Sequence, residues 1–157
     1  MKRDTKKNLD TCNCKDDCNC TANGSICYCL DIRKASQNIT KMYSEALKPT
    51  SLTPTQFGLL KHVESMGPVN VTNLAKQMGL DRTTLVRSLK ILENKGFIED
   101  ISQNTQRNRR LILTKSGDEV LKKAIILWNS VQKKLEKHLG KNDLQKMLEL
   151  ISKLENI

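Results

Sequence analysis

The chain has 157 residues, enough for one domain with a real core, and only 3% of them are aromatic, which argues against a sandwich or barrel and for helices. Its formal net charge of +10 points to an anionic partner, nucleic acid or a membrane surface. Several classes are excluded. No apolar run approaches the roughly 18 residues of a membrane span, and Met1-Lys2-Arg3-Asp4 leads into polar sequence with no signal-peptide core. There is no glycine-rich phosphate loop, and the two histidines, His62 and His138, have no partners spaced for a catalytic triad. The expectation is therefore a cytoplasmic protein that is not an enzyme and does not engage a membrane.

The first segment, residues 1 to about 26, is polar and has no apolar period, so it reads as an extension. With its immediate continuation it holds every cysteine of the chain: Cys12, Cys14, Cys18, Cys20, Cys27 and Cys29. The spacing is C-x-C-x3-C-x-C-x6-C-x-C. Six thiolates of this kind can hold Zn²⁺, Cu(I) or an iron–sulfur cluster, although the usual C-x2-C zinc spacing is absent. They can equally serve as redox thiols. Cys27 and Cys29 stand where the first helix begins, and the positive end of a helix favours thiolate, the form that oxidants attack and a neighbouring thiol resolves as a disulfide. A cysteine that merely packs is the third reading.

From Leu30 the pattern becomes helical. Ile32, Ala35, Ile39, Met42, Ala46 and Leu47 recur at three- and four-residue steps, up to Lys48-Pro49. In SLTPTQF, Thr53 is a good N-cap, Pro54 fits the first helical position, Gln56 completes a capping box, and Leu52 with Phe57 can staple across it. This second helix stops at Gly67-Pro68. Next, Val71, Leu74, Ala75 and Met78 mark a short helix, Gly79-Leu80 a tight turn, and Asp81 the cap of a fourth helix that ends at Gly96. Two short helices joined this way form a helix-turn-helix. Phe97–Ser102 and Arg110–Thr114 read as strands of a basic hairpin. Two further helices follow: Leu121, Ala124, Ile125, Trp128, Val131, Leu135 and Leu139 stripe the first, and Leu144, Met147, Leu148, Ile151 and Leu154 the second, with Gly140 between them.

The positive charge concentrates in the middle: residues 71–117 hold nine basic and four acidic groups. At about 100° per residue along the fourth helix, Leu85, Leu89 and Leu92 cluster on one side with Val86 at the edge. Arg82 opens this helix, Thr83, Arg87, Lys90 and Asn94 lie roughly opposite the leucines, and Thr84 and Ser88 stand on the flank. That set suits major-groove reading, since arginine can pair with guanine, asparagine with adenine, and a threonine methyl can touch thymine. In the hairpin, Arg107, Arg109 and Arg110 are placed to meet phosphate or enter a minor groove. The first and last two helices, striped but outside this reading head, suggest a homodimer that presents two such helices to double-stranded DNA about one turn apart, on a palindromic operator.

Three stretches, LTPTQFGLL, GPVNVTNLAKQMGLDRTTLVRSLKILENKGFI and RRLILTKSGDEVL, together with the order of elements over about residues 29–157, resemble the MarR family of winged-helix regulators. The resemblance implies a mainly α winged helix-turn-helix fold of order α-α-α-α-β-β-α-α, with residues 27–157 as the domain. Its DNA-binding part would be about 53–114, and its dimerisation helices about 30–49 and 115–156. It implies an obligate dimer, with Arg82–Lys95 as recognition helix. Many members are repressors released by a small phenolic ligand or by oxidation. In hydroperoxide-sensing members a reactive cysteine opens the first helix and a tyrosine follows fourteen residues later; Cys29 and Tyr43 are similarly placed. Two features depart from the pattern. A second tyrosine expected near the start of helix two is replaced by Pro54, and the acidic residue common two places before the first wing arginine is replaced by Thr105 ahead of Arg107.

The expected function is sequence-specific transcriptional regulation, as a repressor, switched by oxidation and disulfide formation or by metal binding in the N-terminal region. The alternatives are a metal-responsive or metal-storing thiolate protein that also binds DNA, and a regulator controlled by a phenolic ligand.

Overall fold

The structure is a computed structural model that describes residues 27–102 and 109–157. Cys12, Cys14, Cys18, Cys20, Thr105 and Arg107 lie outside the described residues. The chain divides into two compact units, Met1–Ile39 and Thr40–Ile157, with the boundary inside the first helix.

That helix, α1, spans Tyr28–Leu47. In the first unit its residues are largely exposed, Tyr28 at 73% and Ile32 at 52%. In the second unit it buries Tyr43 and Leu47. A short 3-10 turn, Lys48–Thr50, follows where Pro49 prevents the α pattern from continuing. The next helix, α2, spans Pro54–Met66 and begins with the expected capping box: Gln56 N–H donates to Thr53 Oγ1, and Thr53 N–H to Gln56 Oε1, both at 3.2 Å. Leu52 and Phe57 are both buried, as a staple requires.

The helix-turn-helix is α3, Val71–Met78, and α4, Arg82–Asn94. Both helices end in the same way. Past α4, Gly96 takes φ +69°, its N–H donates to the Glu93 carbonyl, and Phe97 N–H donates to the Leu92 carbonyl. This double closure satisfies the last carbonyls and needs a residue that tolerates the left-handed region. Gly79 closes α3 likewise, with Leu80 N–H donating to Ala75.

One element lies beyond the sequence reading. Val69–Asn70 forms a short strand, β1, so the sheet has three strands, not two. The others are β2, Ile98–Asp100, and β3, Arg110–Leu113, in the order β1-β3-β2, all antiparallel. Val69 pairs with Leu111 and Ile98 with Leu113. A two-residue strand carries no readable alternation; it exists because β3 offers an edge there. The β2 strand is also shorter than Phe97–Ser102, because Phe97 is used in closing α4.

The chain ends in α5, Lys115–Leu139, and α6, Lys141–Leu154. The core gathers Leu47, Leu59, Leu60, Leu74, Leu85, Leu89, Leu92, Leu111 and Leu121, all fully buried. Each contributes about 2 kcal/mol of burial. The α6 stripe is different: none of its residues is buried, and Leu148, Leu150, Ile151 and Leu154 are exposed. Among the described residues, no helix is long and apolar enough to cross a membrane.

Candidate nucleic-acid interface

Helix α4 is the centre of the site. Its inner face is Leu85, Leu89 and Leu92, each with no exposed surface, packed into the common core. A helix anchored at three points over two turns cannot roll, so its opposite face has a fixed direction. Arg82, Thr83, Thr84, Arg87, Lys90 and Asn94 are all exposed, while Ser88 is half-buried. Val86, 41% exposed, lies at the edge as its position on the wheel predicts.

Asp81 fixes where α4 starts. Its Oδ1 accepts the Thr84 N–H at 2.9 Å, and its Oδ2 accepts the Thr84 hydroxyl at 2.5 Å. These two bonds hold the Asp81 carboxyl below its ordinary range. They also occupy Thr84, which is spent on the cap more than on the outer face. At the other end, Lys95 Nζ donates to the Ser51 carbonyl at 2.6 Å, fastening α4 to the loop before α2.

The wing is built on Asp100. Its Oδ1 accepts the N–H groups of Ser102 at 3.0 Å and Arg110 at 3.1 Å, closing the base of the hairpin. Burial pushes its carboxyl up, but hydrogen bonds from Ser102 and the Arg110 N–H outweigh this and leave it below the ordinary range. Arg109 is placed differently from the expectation of a side chain aimed at phosphate. Its Nε donates to Asp100 Oδ2 at 2.7 Å, and an Nη donates to Glu93 near the end of α4. All three side chains are about a quarter exposed. The sequence reading missed Glu93 and Asp100 as parts of this site; two acids close to a run of arginines were the available signal.

Arg110 is exposed and opens β3. With Met66, Pro68, Val69, Asn70 and Asn73 it lines an open hollow of about 430 Å³ beside the start of α3. The TKSG stretch joins wing and α4 to α5. Thr114 caps α5 by accepting the Gly117 N–H, and the hydroxyls of Thr114 and Ser116 both donate to the Gly96 carbonyl at 2.6 Å.

Of the cysteines, Cys27 immediately precedes α1 and is half-buried, and Cys29, in the first turn, is exposed. Tyr43, expected to support a reactive thiol, stacks on Trp128 with ring centroids 3.9 Å apart, and burial raises its phenol above the ordinary value. Phe57 stacks on Trp128 as well, at 4.5 Å. Among the described residues, no group of three or more His, Cys, Asp or Glu side chains could hold a metal ion.

The MarR family model matches residues 52–110, from the loop before α2 through the start of β3. The HTH-type transcriptional regulator SarZ of Staphylococcus haemolyticus is 32% identical over 93 residues, which are 59% of this chain and 62% of that protein, so the match spans less than two thirds of the relative. Among solved structures, the transcriptional regulator MosR of M. tuberculosis in complex with DNA is 31% identical, with 82% of this chain and 93% of that one covered at a TM-score of 0.72. A mutant MarR from E. coli in complex with operator DNA, 24% identical, shares the fold, with 80% and 91% covered and a TM-score of 0.73. With the family model matching its helix-turn-helix and a regulator 31% identical to it covered over 93% of its length, this chain belongs to the MarR family.

Proposed function

We propose that this chain is a dimeric transcriptional repressor, a regulator and not an enzyme, that reads a palindromic operator in double-stranded DNA. The observation that carries the reading is the division of α4: three leucines locked in the core, with Thr83, Arg87, Lys90 and Asn94 exposed on a helix fastened at both ends. The likeness to MosR, whose solved structure contains DNA, supports it. The open apolar faces of α1 and α6 support the dimer: among the described residues, Ile32, Leu148, Leu150, Ile151 and Leu154 keep 42% to 61% of their surface exposed. Residues 53–114 would form the reading head, and about 30–49 and 115–156 the dimerisation helices.

The proposal extends to control. DNA affinity is switched through Cys12, Cys14, Cys18, Cys20, Cys27 and Cys29. Two thiols lose two electrons and two protons to an oxidant and form a disulfide, or the cluster gains or loses Zn²⁺, Cu(I) or an iron–sulfur centre. The exposed position of Cys29 in the first turn of α1 favours an accessible, oxidisable thiol there.

The test begins with duplexes selected from a random library by the reduced protein. Arg87→Ala and Thr83→Ala are expected to cost about 1–3 kcal/mol each on the selected duplex and to relax its sequence preference. An unaltered preference would remove the reading. Affinity is then compared with reductant, with oxidant, and with all six cysteines changed to serine. Equal affinity in the three would remove the switch and leave DNA binding intact. An anaerobic mass spectrum before and after mild oxidation separates metal from disulfide.

A further inference from the structure

The guanidinium of Arg109 joins three elements. Its Nε is bound to Asp100 on β2, its Nη to Glu93 in the last turn of α4, and its own backbone leads into β3. A rigid planar fork meets two carboxylates in a fixed geometry; a lysine ammonium has donors enough for both, but on its flexible stem it would not fix their relative position. The site is a quarter exposed, so the charges are partly desolvated and geometry counts for more than at an open surface. Asp100 is itself held by the Ser102 and Arg110 N–H groups, so the position of Arg109 is transmitted to both hairpin strands.

Two roles would leave different traces. A phosphate contact needs a guanidinium free to turn outward, and here two of its five N–H donors are held by Asp100 and Glu93, so turning outward would break both bonds. Glu93 follows Lys90 by three residues and precedes Asn94, so whatever is tied to Glu93 is tied to the outward face of α4.

We propose that Arg109 is a positioning residue for sequence reading: it fixes the base of the wing to the C-terminal turn of α4 and so sets where the wing stands relative to Arg87, Lys90 and Asn94. This rests on the reading that α4 and the wing bind DNA together. Arg109 then contributes to discrimination between sequences, through placement, and not to general attraction.

The experiment uses the full chain, a duplex selected by the wild type from a random library, and an unrelated duplex. The quantity read is the ratio of the two affinities, with melting midpoints recorded alongside. Arg109→Gln, Arg109→Lys and Glu93→Leu are each expected to lower the ratio, by about tenfold for the first, a usual size for the loss of one coupled contact. Glu93→Leu is the decisive variant. It removes a negative charge near the DNA, so charge alone predicts tighter binding to both duplexes and an unchanged ratio; the clamp predicts a lower ratio. Arg109→Lys keeps the charge, so wild-type behaviour there also counts against the clamp. The proposal is overturned if Arg109→Gln weakens both duplexes equally and lowers the salt slope by about one, as loss of a phosphate contact would. If the wild type selects no sequence, the regulator reading fails, and amide exchange decides the clamp separately. Loss of protection at Ile101 and Leu111 in Arg109→Gln, with the melting midpoint held, supports it; unchanged protection overturns it.

Discussion

Asp81 shows how much one side chain can decide. It caps α4 through the Thr84 amide and hydroxyl, and so sets which residues enter the first turn of the reading helix. The two bonds favour the ionised carboxylate and lower its pKa from the ordinary 3.8. A lowered pKa in the folded state means that the stabilisation is present above the unfolded value and is lost as pH falls through the folded one. Asp81→Ala is therefore expected to lower the melting midpoint at pH 7, and the gap between variant and wild type should close in acid, below about pH 4. A gap that persists there would mean that the carboxylate is not the cap. Thr53 and Asp81 were readable as caps because capping is local: the partner lies three residues away in the same sequence. Arg109 was not, since its partners lie nine and sixteen residues back, on other elements.

Between elements, α5 meets the turn after α4 closely. Gly117 lies in the first turn of α5 against the Phe97 backbone; a β-carbon there would fall on the Phe97 carbonyl, 2.8 Å from its carbon. Because the obstacle is main chain, neither side can swing away. Gly117→Ala is expected to destabilise the fold by about 1–3 kcal/mol or to shift α5 off the wing, with urea denaturation as the measurement. A neutral result would mean that this junction is looser than described. Helices α2 to α6 lie close to where apolar spacing puts them, since a repeat of three and four residues is written along each. The two-residue strand β1 has no such repeat, and it depends on β3 some forty residues onward. The Thr114 and Ser116 bonds to Gly96 are equally non-local, so TKSG was recognisable as a family stretch without its physical role being apparent.

At the scale of the whole molecule, α6 contributes six exposed or half-buried apolar side chains, Leu144, Met147, Leu148, Leu150, Ile151 and Leu154, and no buried one. Sequence periodicity identified this stripe but could not say what covers it, because an apolar face reads the same whether its cover is its own chain or a second copy. Replacing Leu150 and Leu154 by aspartate is expected to halve the mass measured by sedimentation and to lower the melting midpoint only as far as loss of the partner does, since neither residue belongs to the core. If the wild type already sediments as a monomer, the dimer reading falls. The chain has one tryptophan, and Trp128 of α5 is held between the rings of Tyr43 from α1 and Phe57 from α2. Any slippage among those three helices must change the environment of a single indole. Its emission is thus a label-free optical gauge of that junction, in a protein whose other light-absorbing side chains are too few to obscure it.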